Sequence, residues 1–293
     1  MNKTTRGIVS YLFLAFGMAW ILWEIPVRLG VSLRSPVFQL AVLPGGFAPA
    51  VSAIIVRKWI TREGFADAGL RLDLRGWPFY LAAWLLPLLV VTVIAALAAV
   101  LGISQPDFTL QRFLGTLESK TTGPVPGLPS YIWLAVPFQL LITSLVAAPV
   151  LWGEEFGWRG YLQLRLLKER PVLAAVTTGL IWGVWHLPLI LRGYQYPDHP
   201  VSGLIVFPVS TILLSIIFGW LRLRTGSVWS CSLAHSATNA VGGSLTMLLF
   251  MGGPGWICVS YLGILSWIPL GGLCAWIILS GQLQRKPSKT GQA

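Results

Sequence analysis

Apolar residues in this chain come in long unbroken runs, not in the two-residue alternation of a strand or the one-sided stripe of a surface helix. Eight runs predict spanning helices at approximately 8–27, 37–56, 78–101, 131–152, 171–191, 203–221, 227–250 and 256–279. Each comes near the roughly 20 residues needed to cross a hydrocarbon core about 30 Å thick. Between them lie polar and basic stretches that predict loops, including the Pro/Gly-rich segment 121–130 (TTGPVPGLPS). No internal repeat is visible. The pattern predicts an all-α, polytopic membrane helical bundle of about eight transmembrane helices. It forms one integral membrane domain over 1–293 with a basic tail at 284–293. One point stays open: Pro149 could end the fourth helix and let 150–168 form another, inverting the topology downstream. The first run follows Lys3 and Arg6 but is too long for a signal peptide and lacks a small-residue cleavage site, so it is expected to be retained.

Composition agrees with the bilayer as solvent. Of the 293 residues 55% are hydrophobic and 11% charged, with a mean hydropathy of +0.72, whereas globular chains carry roughly 25% charge. A soluble enzyme, a disordered regulator and a secreted disulfide scaffold are excluded. Three cysteines, Cys231, Cys258 and Cys274, sit inside apolar runs and are expected to pack as small apolar residues.

Net charge is +11 with pI near 10.1, yet the basic residues lie between apolar runs and form no single stripe. They read as topology signals and contacts with anionic lipid, not as a nucleic-acid surface. With the N-terminus inside and eight spans, Arg28, Arg34, Arg112, Lys120 and Arg192 fall outside and the rest of the 21 Lys and Arg fall inside. Both termini are therefore expected in the cytoplasm, and in a prokaryote the membrane would be the plasma membrane.

Ionisable groups within spans cost about 2.5 to 3.5 kcal/mol on insertion scales and call for a reason. Four places qualify. Glu24 lies near a span end beside Pro26 and could simply reach the interface. In Glu154-Glu155-Phe156-Gly157-Trp158-Arg159, Glu155 and Arg159 are i and i+4 neighbours in the orientation favoured for an ion pair. Glu154 points about 100° away from Glu155 on a helix, so it needs a different partner; a charged cluster at a helix end is the plainer alternative.

His186 lies one turn after Trp182 on the same face. Glu154 and His186 each lie about 15 residues from the turn at Arg165 to Pro171, so both arms of this helical hairpin climb about 23 Å and bring the two side chains level. His235 and Asn239 share a helix face among small residues, an arrangement that also serves as polar glue between helices. Cys231, one turn before His235, is discounted as a nucleophile because nothing near it activates a buried thiol.

A carboxylate with a histidine can hold and deprotonate water, while a second histidine and an amide can donate to a developing oxyanion. This is equipment for hydrolysing an amide bond. Glu154, His186 and His235 could alternatively ligate zinc, although no His-Glu-x-x-His helix is present.

Three motifs, Glu154-Glu155 with Arg159, Trp182 with His186, and His235 with Asn239, follow one another in order along the chain on separate helices. In this the chain resembles the CAAX prenyl protease and bacteriocin-processing (CPBP) intramembrane endopeptidases, also called the Abi family. The resemblance covers about 150–245, within a core of 131–250, and Ala-Gly-Leu-Arg at 68–71 looks similar too. It implies Glu154 as the general base, His186 holding the water, His235 and Asn239 stabilising the oxyanion, and Glu155 with Arg159 shaping the site. The usual Phe of the second motif is Trp182 here. The family is described both as metal-dependent and as using glutamate with water alone. The implied substrate is a peptide or membrane-anchored protein, lipidated in the prenyl-protease case. Two other readings stand beside it: a non-catalytic immunity or scaffold protein, and a proton-coupled transporter, for which Pro44-Gly45-Gly46 supplies a broken helix.

Overall fold

The computed structural model describes residues 1–33, 35–118, 129 and 131–284. Except for Pro129 and Gln284, the loop expected at 121–130 and the basic tail lie outside the described residues.

Among the described residues there is no strand. The predicted runs appear as α1 (Lys3–Arg28), α2 (Pro36–Ile60), α3 (Leu74–Val100), α4 (Ile132–Arg165), α5 (Pro171–Trp185), α6 (Pro200–Thr225), α7 (228–250) and α8 (Trp256–Leu279). All but α5 and α7 are long and apolar enough to cross a membrane. The α5 helix has only 15 residues. In α7 the run is diluted by Ser, His, Thr, Asn and Gly and passes through a π-helical stretch at Thr238–Gly243. The eight expected spans are thus six by length and composition.

The outer surface is inverted relative to a soluble protein. Phe13, Leu89, Leu134 and Val146 are each more than 60% exposed, while Glu155 and Arg159 are fully buried, as expected when lipid surrounds the bundle.

The fourth helix settles the point left open at Pro149. It runs through Pro137 and Pro149 as one α-helix to Gly157, becomes π-helical at Trp158–Leu162, and ends at Arg165, so no extra span forms. Prolines also mark ends: Pro171 and Pro200 occupy the first positions of α5 and α6, where a missing N–H is harmless. Pro188 is why α5 stops at Trp185 and not at the expected 191. Its nitrogen cannot bond back to the carbonyl of Val184, and the chain restarts as the short helix Leu187–Ile190. His186 sits at this break. Further on, Gly226 at φ +68° closes α6 by donating to Arg222 O, and Ser227 caps α7 by accepting from Trp229 N. The eighth run is interrupted by a turn at 260–263.

Close approach of α5 and α6 positions the site. Thr211 Oγ1 donates to Gly179 O and Ser215 Oγ to Ala175 O, so α6 hydroxyls bond directly to the α5 backbone. A methyl group on Gly183 would stand 2.7 Å from Thr211 Oγ1 and 2.8 Å from Pro208 Cα; only small residues allow this contact. Gly183→Ala is therefore expected to destabilise the protein by roughly 1–3 kcal/mol and to displace the neighbouring Trp182. An unchanged thermal unfolding midpoint in detergent would contradict this packing.

Other helices are pinned in the same way. Trp185 Nε1 donates to Ala15 O while Trp20 Nε1 donates to Trp185 O, tying α1 to the end of α5. Ser236 Oγ donates to Ser144 O, tying α7 to α4. Glu24 accepts from Arg28 at 3.1 Å and from Arg192 at 2.6 Å, joining α1 to the chain after α5. Its role is thereby structural.

At the opposite end, the loop after α2 is fastened by buried Arg57, which donates to Gly64 O, Asp67 Oδ1 and Gly160 O. Arg165 donates to Glu63 and Asp67. Burial works to raise the Asp67 carboxyl, but the Arg57 hydrogen bond and the charges of Arg57 and Arg165 hold it below the usual carboxylate range.

Candidate active site

Motif one lies on α4 just before its π-helical stretch, motif two ends α5, and motif three leads α7 into its own π-helical stretch. Such single-turn π segments recur at functional sites because they re-aim the side chains beside them.

Helical geometry sends the adjacent glutamates to different partners. Glu155 Oε1 accepts from Arg159 Nη1 at 2.9 Å and pairs with His235 Nδ1 at 3.0 Å. All three side chains are buried. The remainder of the Arg159 guanidinium lies over the rings of Trp182 at 4.7 Å and Phe218 at 5.1 Å, where ring quadrupoles stabilise a cation.

Glu154 is only half-buried. Its Oε2 accepts from Trp182 Nε1 at 2.8 Å, and its Oε1 lies 4.0 Å from where a Cβ on Gly46 would be. The broken segment of α2 thus passes beside this carboxylate.

Trp182 joins every part of the cluster. Its indole N–H meets Glu154, its ring edge meets the His235 ring at 5.1 Å, and its backbone carbonyl meets His186 Nδ1 at 2.9 Å. A carbonyl can only accept, so Nδ1 carries the proton and the neutral ring keeps its Nε2 lone pair free. The half-buried His186 ring is flanked by Trp185, at 4.8 Å, and Phe207, at 4.9 Å.

Asn239 stands apart. It is exposed in the π-helical stretch, and among the described residues no hydrogen bond ties it to the other candidates.

Sequence reasoning missed the bond from Glu155 to His235, 80 residues away, for which no local pattern exists. It also missed the Trp182 bond to Glu154, whose signal was legible in an indole standing where Phe is usual. Phe207 and Gly46 were missed as neighbours of the site.

No three His, Cys, Asp or Glu side chains among the described residues come close enough together to hold an ion, and Glu154 Oε2 and His235 Nδ1 already have partners. Cys231 is buried against Phe218 O and reaches none of the candidates.

Residues 133–241 match the family described as Type II CAAX prenyl endopeptidase Rce1-like, and every candidate residue from Glu154 to Asn239 falls inside that segment. A protein of Methanococcus maripaludis named CAAX prenyl protease 2 is 28% identical over 225 residues, covering 73% of this chain and 75% of that protein. Over that segment, which carries all three motifs on the helices of one bundle, the chain is similar to the Rce1-like CAAX prenyl endopeptidases.

Proposed function

We propose that the chain hydrolyses a peptide bond in a lipidated, membrane-anchored peptide or protein, with Glu154 as general base toward water. The observation that carries this reading is the bond from Trp182 Nε1 to Glu154 Oε2. It unites the first two motifs and leaves one carboxylate oxygen uncommitted beside a histidine whose Nε2 is an acceptor.

Water held by Glu154 and His186 loses a proton to Glu154 as its oxygen bonds to the substrate carbonyl carbon. The carbonyl oxygen becomes an oxyanion. His235 donates to it from Nε2 in its imidazolium form, which the Glu155 carboxylate on Nδ1 supports. From its exposed position Asn239 offers an amide donor to the same oxygen. Collapse of the intermediate breaks the C–N bond, and the proton held by Glu154 passes to the departing amine. Arg159 keeps the Glu155 carboxylate in place throughout. In this reading both termini lie in the cytoplasm, the membrane of a prokaryote is the plasma membrane, and substrate approaches from the cytoplasmic side or laterally from lipid.

Trp182→Phe tests the carrying bond. Phe keeps a ring for His235 and Arg159 but has no N–H to orient the carboxylate. A hydrogen bond to a charged group is worth about 1.5–3 kcal/mol, so kcat on a membrane-anchored prenylated peptide is expected to fall about 10- to 100-fold with KM unchanged. An unaltered kcat would remove the bond from the mechanism.

A further inference from the structure

Trp23 lies on α1, outside the segment 133–241 that matches the family, and is 3% exposed. A buried indole N–H needs an acceptor. It finds one at the first break of α2, where Trp23 Nε1 donates to Val42 O at 3.0 Å. Gly46 N donates to the same carbonyl at 3.2 Å, so one oxygen joins the indole to the residue that stands beside Glu154 Oε1. Gly45 packs directly on the ring. A Cβ there would overlap Trp23 Nε1 and come within 2.6 Å of Cδ1.

The same indole meets the second motif. It stacks on the His186 imidazole, with ring centroids 5.9 Å apart and planes 28° apart, and it meets the edge of Trp185 at 4.4 Å. His186 stands where α5 breaks before Leu187–Ile190. Its bond to Trp182 O holds one ring atom, Nδ1, and a ring held at one atom can still swing about it. The plane is fixed by the rings packed around it, those of Trp23, Trp185 and Phe207.

Water activation requires the carboxylate and the imidazole to keep their separation, and a displacement of about 1 Å can cost about 100-fold in rate. Trp23 is bonded to the wall beside one group and stacked on the other. We propose that Trp23 is a positioning residue for the peptidase reaction: its N–H holds the broken segment Val42–Gly46 beside Glu154 while its ring holds the His186 imidazole. One side chain of α1 thereby sets the geometry of the two groups that hold the water. This role rests on the peptidase reading and brings no new group to the substrate.

Three variants test it. Trp23→Phe keeps a ring for His186 and removes the bond to Val42 O, which retains its bond from Gly46 N. Trp23→Leu removes ring and bond together, and Gly45→Ala keeps the indole but pushes it aside. Cleavage of a membrane-anchored prenylated peptide is measured at a temperature where each variant is folded. The kcat is expected to fall about 10-fold in Trp23→Phe and about 100-fold in Trp23→Leu, with KM unchanged. Adding Gly45→Ala to Trp23→Leu is expected to lower kcat little further, because both act through one contact. Should Trp23→Leu not fold, Trp23→Phe and Gly45→Ala carry the test.

Nitrogen-15 NMR of histidine-labelled protein, with His186 assigned by comparison with His186→Gln, gives a readout that needs no turnover. The wild-type His186 ring is expected as the neutral tautomer protonated at Nδ1, and in Trp23→Leu or Gly45→Ala as an exchanging mixture of both tautomers. If the wild type cleaves nothing, the peptidase reading fails, and this spectrum decides whether Trp23 places His186: a mixture in the variants supports it and a single tautomer overturns it. In an active protein, an unchanged kcat in the variants, or a loss that merely follows their unfolding midpoints, would overturn the proposal.

Discussion

Glu154→Gln is expected to lower kcat about 10²- to 10⁴-fold, the usual range for removing a general base, while the protein folds as before. The amide of Gln has nearly the shape of the carboxylate, and its carbonyl oxygen can still accept from Trp182 Nε1. What it cannot do is take a proton from water. Because Glu154 is half-buried and has no ion pair among the described residues, neutralising it strands no buried cation among them. Cleavage rates on a membrane-anchored prenylated peptide and the unfolding midpoint in detergent should therefore separate: the first collapses and the second stays. A variant that lost stability and activity together would show that Glu154 serves packing.

Glu155→Gln is expected to lower stability as well as activity. Arg159 has no exposure and its ionic partner is Glu155, so the substitution strands a guanidinium in the bundle and weakens the hold on His235. Breaking a buried pair by removing one partner costs about 3–5 kcal/mol, and the midpoint of denaturant unfolding should fall accordingly. A second substitution distinguishes the cause. Removing both charges with Glu155→Gln and Arg159→Met leaves no stranded ion and should restore much of the stability. If the double variant were no more stable than the single one, the ion pair would not be what Glu155 contributes.

These different outcomes for adjacent residues trace to the 100° step of an α-helix, which is why that part of the site was legible. The spacing of Glu155 and Arg159 named their pairing, and the 3.6-residue turn required another partner for Glu154. Counting residues about the turn at Arg165 to Pro171 brought motifs one and two level, and the Glu154 to Trp182 bond realises that meeting. Long apolar runs located eight helical segments because lipid demands continuous apolarity, whereas the short, more polar helix Gln111–Glu118 gave no such run. Hydropathy could not foresee where a run would be shortened or broken. The end of α5 depends on one missing N–H at Pro188, and the interruption of α8 at 260–263 lies within an apolar stretch. The π-helical stretches at Trp158–Leu162 and Thr238–Gly243 carry no periodicity signal that separates them from α-helix. The bond of Glu155 to His235 was out of reach because it depends on how α4 and α7 pack. Asn239 shows the same limit: i, i+4 spacing placed it near His235 along the helix, whereas its exposure follows from the bundle around it.

The central claim is that water activated at Glu154 cuts a peptide bond. Its most direct test is cleavage of a prenylated, membrane-anchored peptide by the wild type and Glu154→Gln in proteoliposomes, each with and without a metal chelator. The account predicts cleavage by the wild type that the chelator does not diminish, and none by Glu154→Gln. Equal cleavage by both proteins, or wild-type activity abolished by chelator and restored by zinc, would contradict it.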